Sequence, residues 1–84
     1  MLICVWNLSP ETEENDLRQT FESFGQVNFA IISSTVFKNR YTGEPRGFGF
    51  VEMPDWGEAR AALETFNRRG HHGQRMIVYG SFEN

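Results

Sequence analysis

Cysteine is almost absent from this chain: Cys4 is the single one in 84 residues, which excludes an internal disulfide. A long apolar run is missing as well. The longest, Leu2 to Trp6, falls far short of the roughly 20 residues that a membrane span needs, so a soluble, intracellular protein is expected. Met1 to Trp6 has no basic leader and runs into Asn7 and the acids Glu11, Glu13 and Glu14, so no secretory signal is expected and folded structure should begin at the N-terminus. Positive charge is also scarce. Eight Lys and Arg against eleven Asp and Glu give a net charge of −3, the wrong sign for bulk attraction to a polyanion. Any nucleic-acid binding must therefore be local.

What is present fits one small domain, because a chain this short buries only roughly 60 to 70% of its unfolded surface in a single core. The acids crowd the first third, where Glu11, Glu13, Glu14, Asp16 and Glu22 face Arg18 alone. Bases gather in Lys38 to Arg46 and Arg68 to Arg75, which are solvated faces unless the fold brings them together. Leu2 to Asn7 puts Ile3 and Val5 on one side of an extended segment and Cys4 and Trp6 on the other, the period of a half-buried strand. From about Glu13 to Phe24, Leu17, Phe21 and Phe24 recur at helical spacing with acids in the first turn, and Gly25 is expected as a left-handed cap. Val27 to Phe37 reads as a strand from its Val, Ile, Thr and Phe content, but its alternation is blurred and its register open.

Tyr41-Thr42-Gly43 signals a turn into an alternating third strand, Gly47 to Met53. Asp55 and Glu58 have the spacing of a capping box, and Ala59, Ala62, Leu63 and Phe66 follow at i, i+3, i+4 and i+7 of a second helix. Gly70 and Gly73 break the chain before a last short strand, in which Met76 and Val78 alternate with Ile77 and Tyr79. Two amphipathic helices covering one side of so small a sheet leave its other side to water. The residues expected there are Cys4, Trp6, Phe48, Phe50, Glu52, Ile77 and Tyr79, a convergence of rings that marks a binding surface rather than a solvated one.

Arg46-Gly47-Phe48-Gly49-Phe50-Val51-Glu52-Met53 closely resembles the octamer motif of RNA-recognition motif proteins, and Ile3-Cys4-Val5-Trp6-Asn7-Leu8 is similar to their hexamer motif. Leu17, Phe21, Phe24-Gly25, Ala59, Ala62, Asn67 and Gly73 also fall where such domains have similar residues, so the resemblance covers nearly the whole chain. It implies a ferredoxin-like α+β sandwich ordered βαββαβ, with a four-stranded antiparallel sheet and two helices on one face, as a single domain over residues 1–84. It also implies binding of single-stranded RNA, with single-stranded DNA left open, by a monomer in the cytoplasm that needs no cofactor or metal. The chain starts directly on its first strand and stops soon after its last, like short stand-alone bacterial members, although an excised piece would look the same.

The chemistry of the octamer is plain on its own terms. A ring fixed on a strand stacks a base for roughly 1 to 3 kcal/mol without demanding a sequence, and Phe48 and Phe50 supply two such rings. Two stacks imply about micromolar binding. Gly47 and Gly49 are expected to let the helices approach, Arg46 to meet a phosphate, and Met53 to point inward. The chain departs from the family at Cys4, where the hexamer usually has a stacking aromatic. Trp6, on the same face, is expected to replace that ring in part, the alternatives being that it crowds the surface or packs on a neighbouring strand. Beside the family, Val27 to Gly43 is a few residues longer, which implies an extended hairpin carrying Phe37, Lys38, Arg40 and Tyr41. The resemblance brings Lys38, Arg40 and Arg46 near Arg68, Arg69 and Arg75 as a phosphate clamp, with Cys4, Ile77 and Tyr79 completing the face.

Against this stand three other readings. The rings Phe48 and Phe50 would be covered by the C-terminal tail through Phe82, or by a protein partner if the domain is an interaction module on the same fold with weak or no RNA binding. Small acylphosphatases share the architecture, but the loop Leu8-Ser9-Pro10-Glu11 is acidic and lacks their Arg, and no acid–base pair or phosphate loop occurs elsewhere, so no enzyme is expected. His71-His72 has no accompanying ligands at metal spacing, and Cys4 has no base to activate it.

Overall fold

The computed structural model describes residues 1–38, 40–69 and 77–81. Along the chain run β1 (Leu2–Leu8), α1 (Glu14–Glu22), β2 (Phe29–Lys38), β3 (Pro45–Glu52), α2 (Trp56–Arg69) and β4 (Ile77–Ser81). The strands pair antiparallel in the order β2-β3-β1-β4, with β1 and β3 central. This is the α+β, ferredoxin-like arrangement. Ile3 and Val5 of β1, Val51 of β3 and the adjoining Met53 are buried in one cluster with Leu17 and Phe21 of α1 and Ala59, Ala62 and Phe66 of α2. Both helices therefore lie on one side of the sheet. Each such buried side chain contributes roughly 1.5 to 3 kcal/mol where it is large, and Phe21 and Phe66 add a ring contact at 5.0 Å.

The helix ends differ from expectation in two places. Helix α1 closes at Ser23, and Gly25 has φ 159°, extended backbone instead of a left-handed cap. What Gly25 supplies is room: a Cβ there would meet the Glu58 carboxylate. That carboxylate accepts the Gln26 amide at 3.2 Å. The expected capping box at α2 is accordingly half formed. Asp55 Oδ1 accepts the Glu58 amide at 2.9 Å, while the Glu58 side chain reaches across to the loop before β2.

The acids of α1 also have structural work. Asp16 Oδ2 accepts the Glu13 amide at 3.1 Å, Glu22 accepts from Arg18 at 3.3 Å, and Glu14 Oε2 accepts the Ile32 amide of β2 at 3.0 Å. They sit on the helix layer, behind the sheet. Met53 is buried as expected, but the two octamer glycines differ. A Cβ on Gly49 would lie 2.5 Å from the Ile31 carbonyl oxygen and 3.1 Å from Leu17 Cδ2, whereas one on Gly47 would meet nothing nearer than 4.0 Å. Of the pair, only Gly49 is required by close approach.

Two irregularities converge on Phe48. Between β1 and β3 the register moves from Val5↔Gly49 to Leu8↔Gly47, so Trp6 and Asn7 together face Phe48, and Asn7 takes a left-handed φ of 64°. Past that bulge the inward side changes parity, which is how Leu8 comes to be buried along with Ile3 and Val5. Between β2 and β3 the register moves from Ile32↔Gly49 to Val36↔Gly47, so Ser33, Ser34 and Thr35 all face Phe48 from the other side. The Ser33 hydroxyl accepts the Thr35 amide at 3.1 Å inside this second bulge.

Candidate nucleic-acid interface

With the helix side of the sheet filled, the alternate residues of β1, β2 and β3 form the open side. Cys4 of β1 and Ile31 of β2 face Phe50 from its two flanks, and Phe29 faces Glu52. Phe29 and Ile31 are exposed and extend the apolar surface of this side. Toward the β2–β3 hairpin the rings touch. Trp6 stacks on Phe48 with centroids 4.7 Å apart and planes 21° from parallel. Phe48 meets Phe50 edge-on at 6.0 Å, and Phe37 meets Trp6 edge-on at 5.7 Å. Phe37, Trp6, Phe48 and Phe50 thus form a continuous row across three strands.

Trp6 does pack on a neighbouring strand, and it remains 36% exposed, so the indole is both a neighbour to Phe48 and a surface in its own right. One face of Phe48 is taken. Arg46 is placed differently from its expected role: it is 5% exposed. Its Nε donates to Asn7 Oδ1 at 3.0 Å and its Nη2 to the Asn7 carbonyl at 2.6 Å. The guanidinium pins the bulge that presents Trp6, because it grips the residue immediately after it. A left-handed Asn costs little, and a buried carbonyl held by a charged donor is well satisfied.

Of the expected cations, Lys38, Arg40 and Arg46 lie among the residues whose side chains are described. Lys38 ends β2, and Arg40 and Tyr41 follow in the turn, all exposed at the end of the sheet where Trp6 lies. Ile77 and Tyr79 pair their backbones with Trp6 and Cys4, while their side chains lie outside the described residues, as do the side chains of Asn67, Arg68 and Arg69. Gly70, His71, His72, Gly73, Arg75, Met76 and Phe82 also lie outside them. Among the described residues no cluster of three His, Cys, Asp or Glu is positioned for a metal ion, and no helix is long and apolar enough to cross a membrane.

Sequence reasoning missed Asn7, Phe29 and Ile31 as parts of this face, and it put Phe37 on an extended hairpin, outside the row of rings. The signal for Phe29, Ile31 and Phe37 was their shared parity. It was hidden because the inward residues of β2, Ala30 and Ile32, are equally apolar. The signal for Asn7 was weaker, a residue type that tolerates left-handed backbone at the end of a strand.

The family model described as RNA recognition motif matches residues 3–77. The chain belongs to that family. This RNA recognition motif is similar to the serine/arginine-rich SC35-like splicing factor SCL28 of Arabidopsis thaliana, at 34% identity over 98% of the chain and 33% of the relative. It is similar to glycine-rich RNA-binding protein 1 of Mycosarcoma maydis, at 38% identity over 90% of the chain and 41% of the relative. The chain therefore spans less than half the length of these two proteins. Among solved structures, the RNA binding protein PG1 superposes with a TM-score of 0.74 at 38% identity, covering 100% of this chain and 96% of that one. The expected likeness to bacterial proteins is not upheld, since the relatives are eukaryotic. An RNA recognition motif is a binding domain and not an enzyme.

Proposed function

We propose that this RNA recognition motif binds single-stranded RNA across the open side of its sheet, stacking bases on Phe50 and on the Trp6–Phe48 pair. Cys4, Ile77 and Tyr79 border the track, and Lys38, Arg40 and Tyr41 receive the backbone. The observation that carries the reading is the contiguous row of rings on the sheet face opposite α1 and α2. Flat aromatic faces on rigid strands stack any base, and cations beside them neutralise phosphates. The net charge of −3 is no obstacle, because Asp16, Glu14 and Glu22 of α1 are engaged on the helix layer. Arg46 is left out of the phosphate contacts, its guanidinium being bound to Asn7. On this reading residues 1–84 act as one domain, a monomer in the cytoplasm.

Fluorescence anisotropy with mixed-sequence single-stranded RNA and matching DNA tests this. Saturable RNA binding by the wild type, lost in a folded Phe48→Ala/Phe50→Ala variant, is the expected result. No binding by either protein at low salt would overturn it and direct attention to a protein partner for the same rings. The DNA arm separates RNA preference from binding of any single strand, which depends on contacts to the 2′-hydroxyl.

A further inference from the structure

Phe37 is the one ring of the row that lies outside both motifs. It reaches the row through a defined device. Without the three-residue excursion at Ser33, Ser34 and Thr35, strict pairing from Ile32↔Gly49 would carry Phe37 opposite Glu44, in the turn. With it, Phe37 stands opposite Arg46, two residue positions or about 6 to 7 Å nearer the centre of the sheet. Side chains hold the excursion at both ends: Glu14 takes the Ile32 amide, and Ser33 takes the Thr35 amide. The β1 bulge makes the complementary move, since Arg46 grips Asn7 and so fixes the backbone that carries Trp6. Both strands beside Phe48 are thus irregular, and the rings they deliver meet each other at 5.7 Å with planes 61° apart.

We infer that Trp6 and Phe37 form an additional base subsite, a corner in which one nucleobase stacks against the indole and rests against the Phe37 ring. The inference rests on the reading that this face binds single-stranded RNA. Two planes meeting at a steep angle fit a flat base better than either ring alone, because one offers a face and the other an edge. The exposed share of Trp6 gives the base access. Charge favours a nucleotide over an apolar peptide as occupant: Lys38 directly follows Phe37, and Arg40 is two residues further on, both exposed and outnumbering Glu44, the exposed acid of the same hairpin. The RNA track then runs from Phe50, past the Trp6–Phe48 stack, to Phe37 at the hairpin, one nucleotide longer than the octamer and hexamer rings alone define.

The test is a length series of single-stranded RNA, from about two to eight nucleotides, titrated against the 84-residue chain and its Phe37→Leu and Phe50→Ala variants. Leucine keeps apolar bulk against Trp6 and removes the π-face. The expected result is that Phe37→Leu weakens binding about ten-fold for the longer RNAs and leaves the shortest unaffected, while Phe50→Ala weakens all of them. In a Trp56→Phe background Trp6 is the remaining tryptophan, and RNA should quench its fluorescence. Wild-type affinity of Phe37→Leu at every length, with Phe50→Ala impaired, would overturn the subsite and leave the proposed function standing. Equal weakening at every length would overturn it too, by showing that Phe37 only props Trp6. Absence of RNA binding by the wild type would remove both.

Discussion

Replacing Arg46 separates two roles that the octamer arginine can have. If its guanidinium meets a phosphate, removing it lowers the magnitude of the salt slope of binding by about 0.7, the value for one contact to a single strand, and leaves the fold alone. The geometry requires the opposite. At 5% exposure, with Nε and Nη2 both donating to Asn7, Arg46 is part of the interior of the sheet's hairpin end. A hydrogen bond from a charged group contributes about 1.5 to 3 kcal/mol, and two on one residue are not additive, so Arg46→Ala should cost about 3 kcal/mol. For a domain of this size that lowers the melting temperature by about 12 to 24 °C. Arg46→Lys keeps the charge but lacks the planar fork that reaches two acceptors, so it should lose at least about 1 kcal/mol as well.

Urea denaturation followed by circular dichroism measures the stability change, and anisotropy titrations at several salt concentrations measure the slope. Both variants should be destabilised with an unchanged salt slope, and their RNA affinity should fall because Trp6 is no longer held over Phe48. A stable Arg46→Lys protein, together with an Arg46→Ala slope reduced by about 0.7, would refute the structural role.

Three further outcomes follow from the same geometry. Gly49→Ala should cost about 1 to 3 kcal/mol by overpacking against the Ile31 carbonyl, whereas Gly47→Ala, with free space, should stay within about 0.5 kcal/mol; equal urea midpoints for the two would count against the close approach. Cys4→Phe restores a ring opposite Phe50, and RNA affinity should rise about ten-fold by anisotropy; an unchanged affinity would mean that the track does not cross that part of β1. Lys38→Ala and Arg40→Ala should each reduce the magnitude of the salt slope by about 0.7, and an unaltered slope would show that the hairpin is solvated and takes no phosphate.

The element order was legible because each element states its period in few residues: Ile3 and Val5 against Cys4 and Trp6, or Ala59, Ala62, Leu63 and Phe66 along one helix stripe. The helix ends were legible only as residue types. Asp55 does cap α2, but Glu58 is drawn away from the cap by the Gln26 amide, 32 residues distant, a partner that no local spacing reveals. Position on the open face was likewise readable from alternation, and contact was not. That Trp6 faces Phe48 follows from parity; that the two rings stack follows from a bulge set by one left-handed residue and one buried guanidinium. Arg46 shows the limit most clearly, since its place at the strand entrance suggested a phosphate partner while its guanidinium turns to Asn7.

Cys4 and Trp6 lie on the same side of β1 but beside different octamer rings. A ring at Cys4 would sit beside Phe50, near the middle of the sheet, whereas Trp6 sits beside Phe48, and Phe37 is drawn in to meet it. The aromatic contacts therefore lie toward the hairpin. That is also the end where Lys38 and Arg40 are exposed, while Glu14, Asp16 and Glu22 are committed on the opposite layer. An acidic domain can hold a polyanion when its stacking surface and its few cations share one end, because over a Debye length of about 8 to 10 Å the nearby charges outweigh the total. Moving the ring back to the centre by combining Cys4→Phe with Trp6→Leu should therefore preserve stacking yet make binding, measured by anisotropy, less sensitive to Lys38 and Arg40.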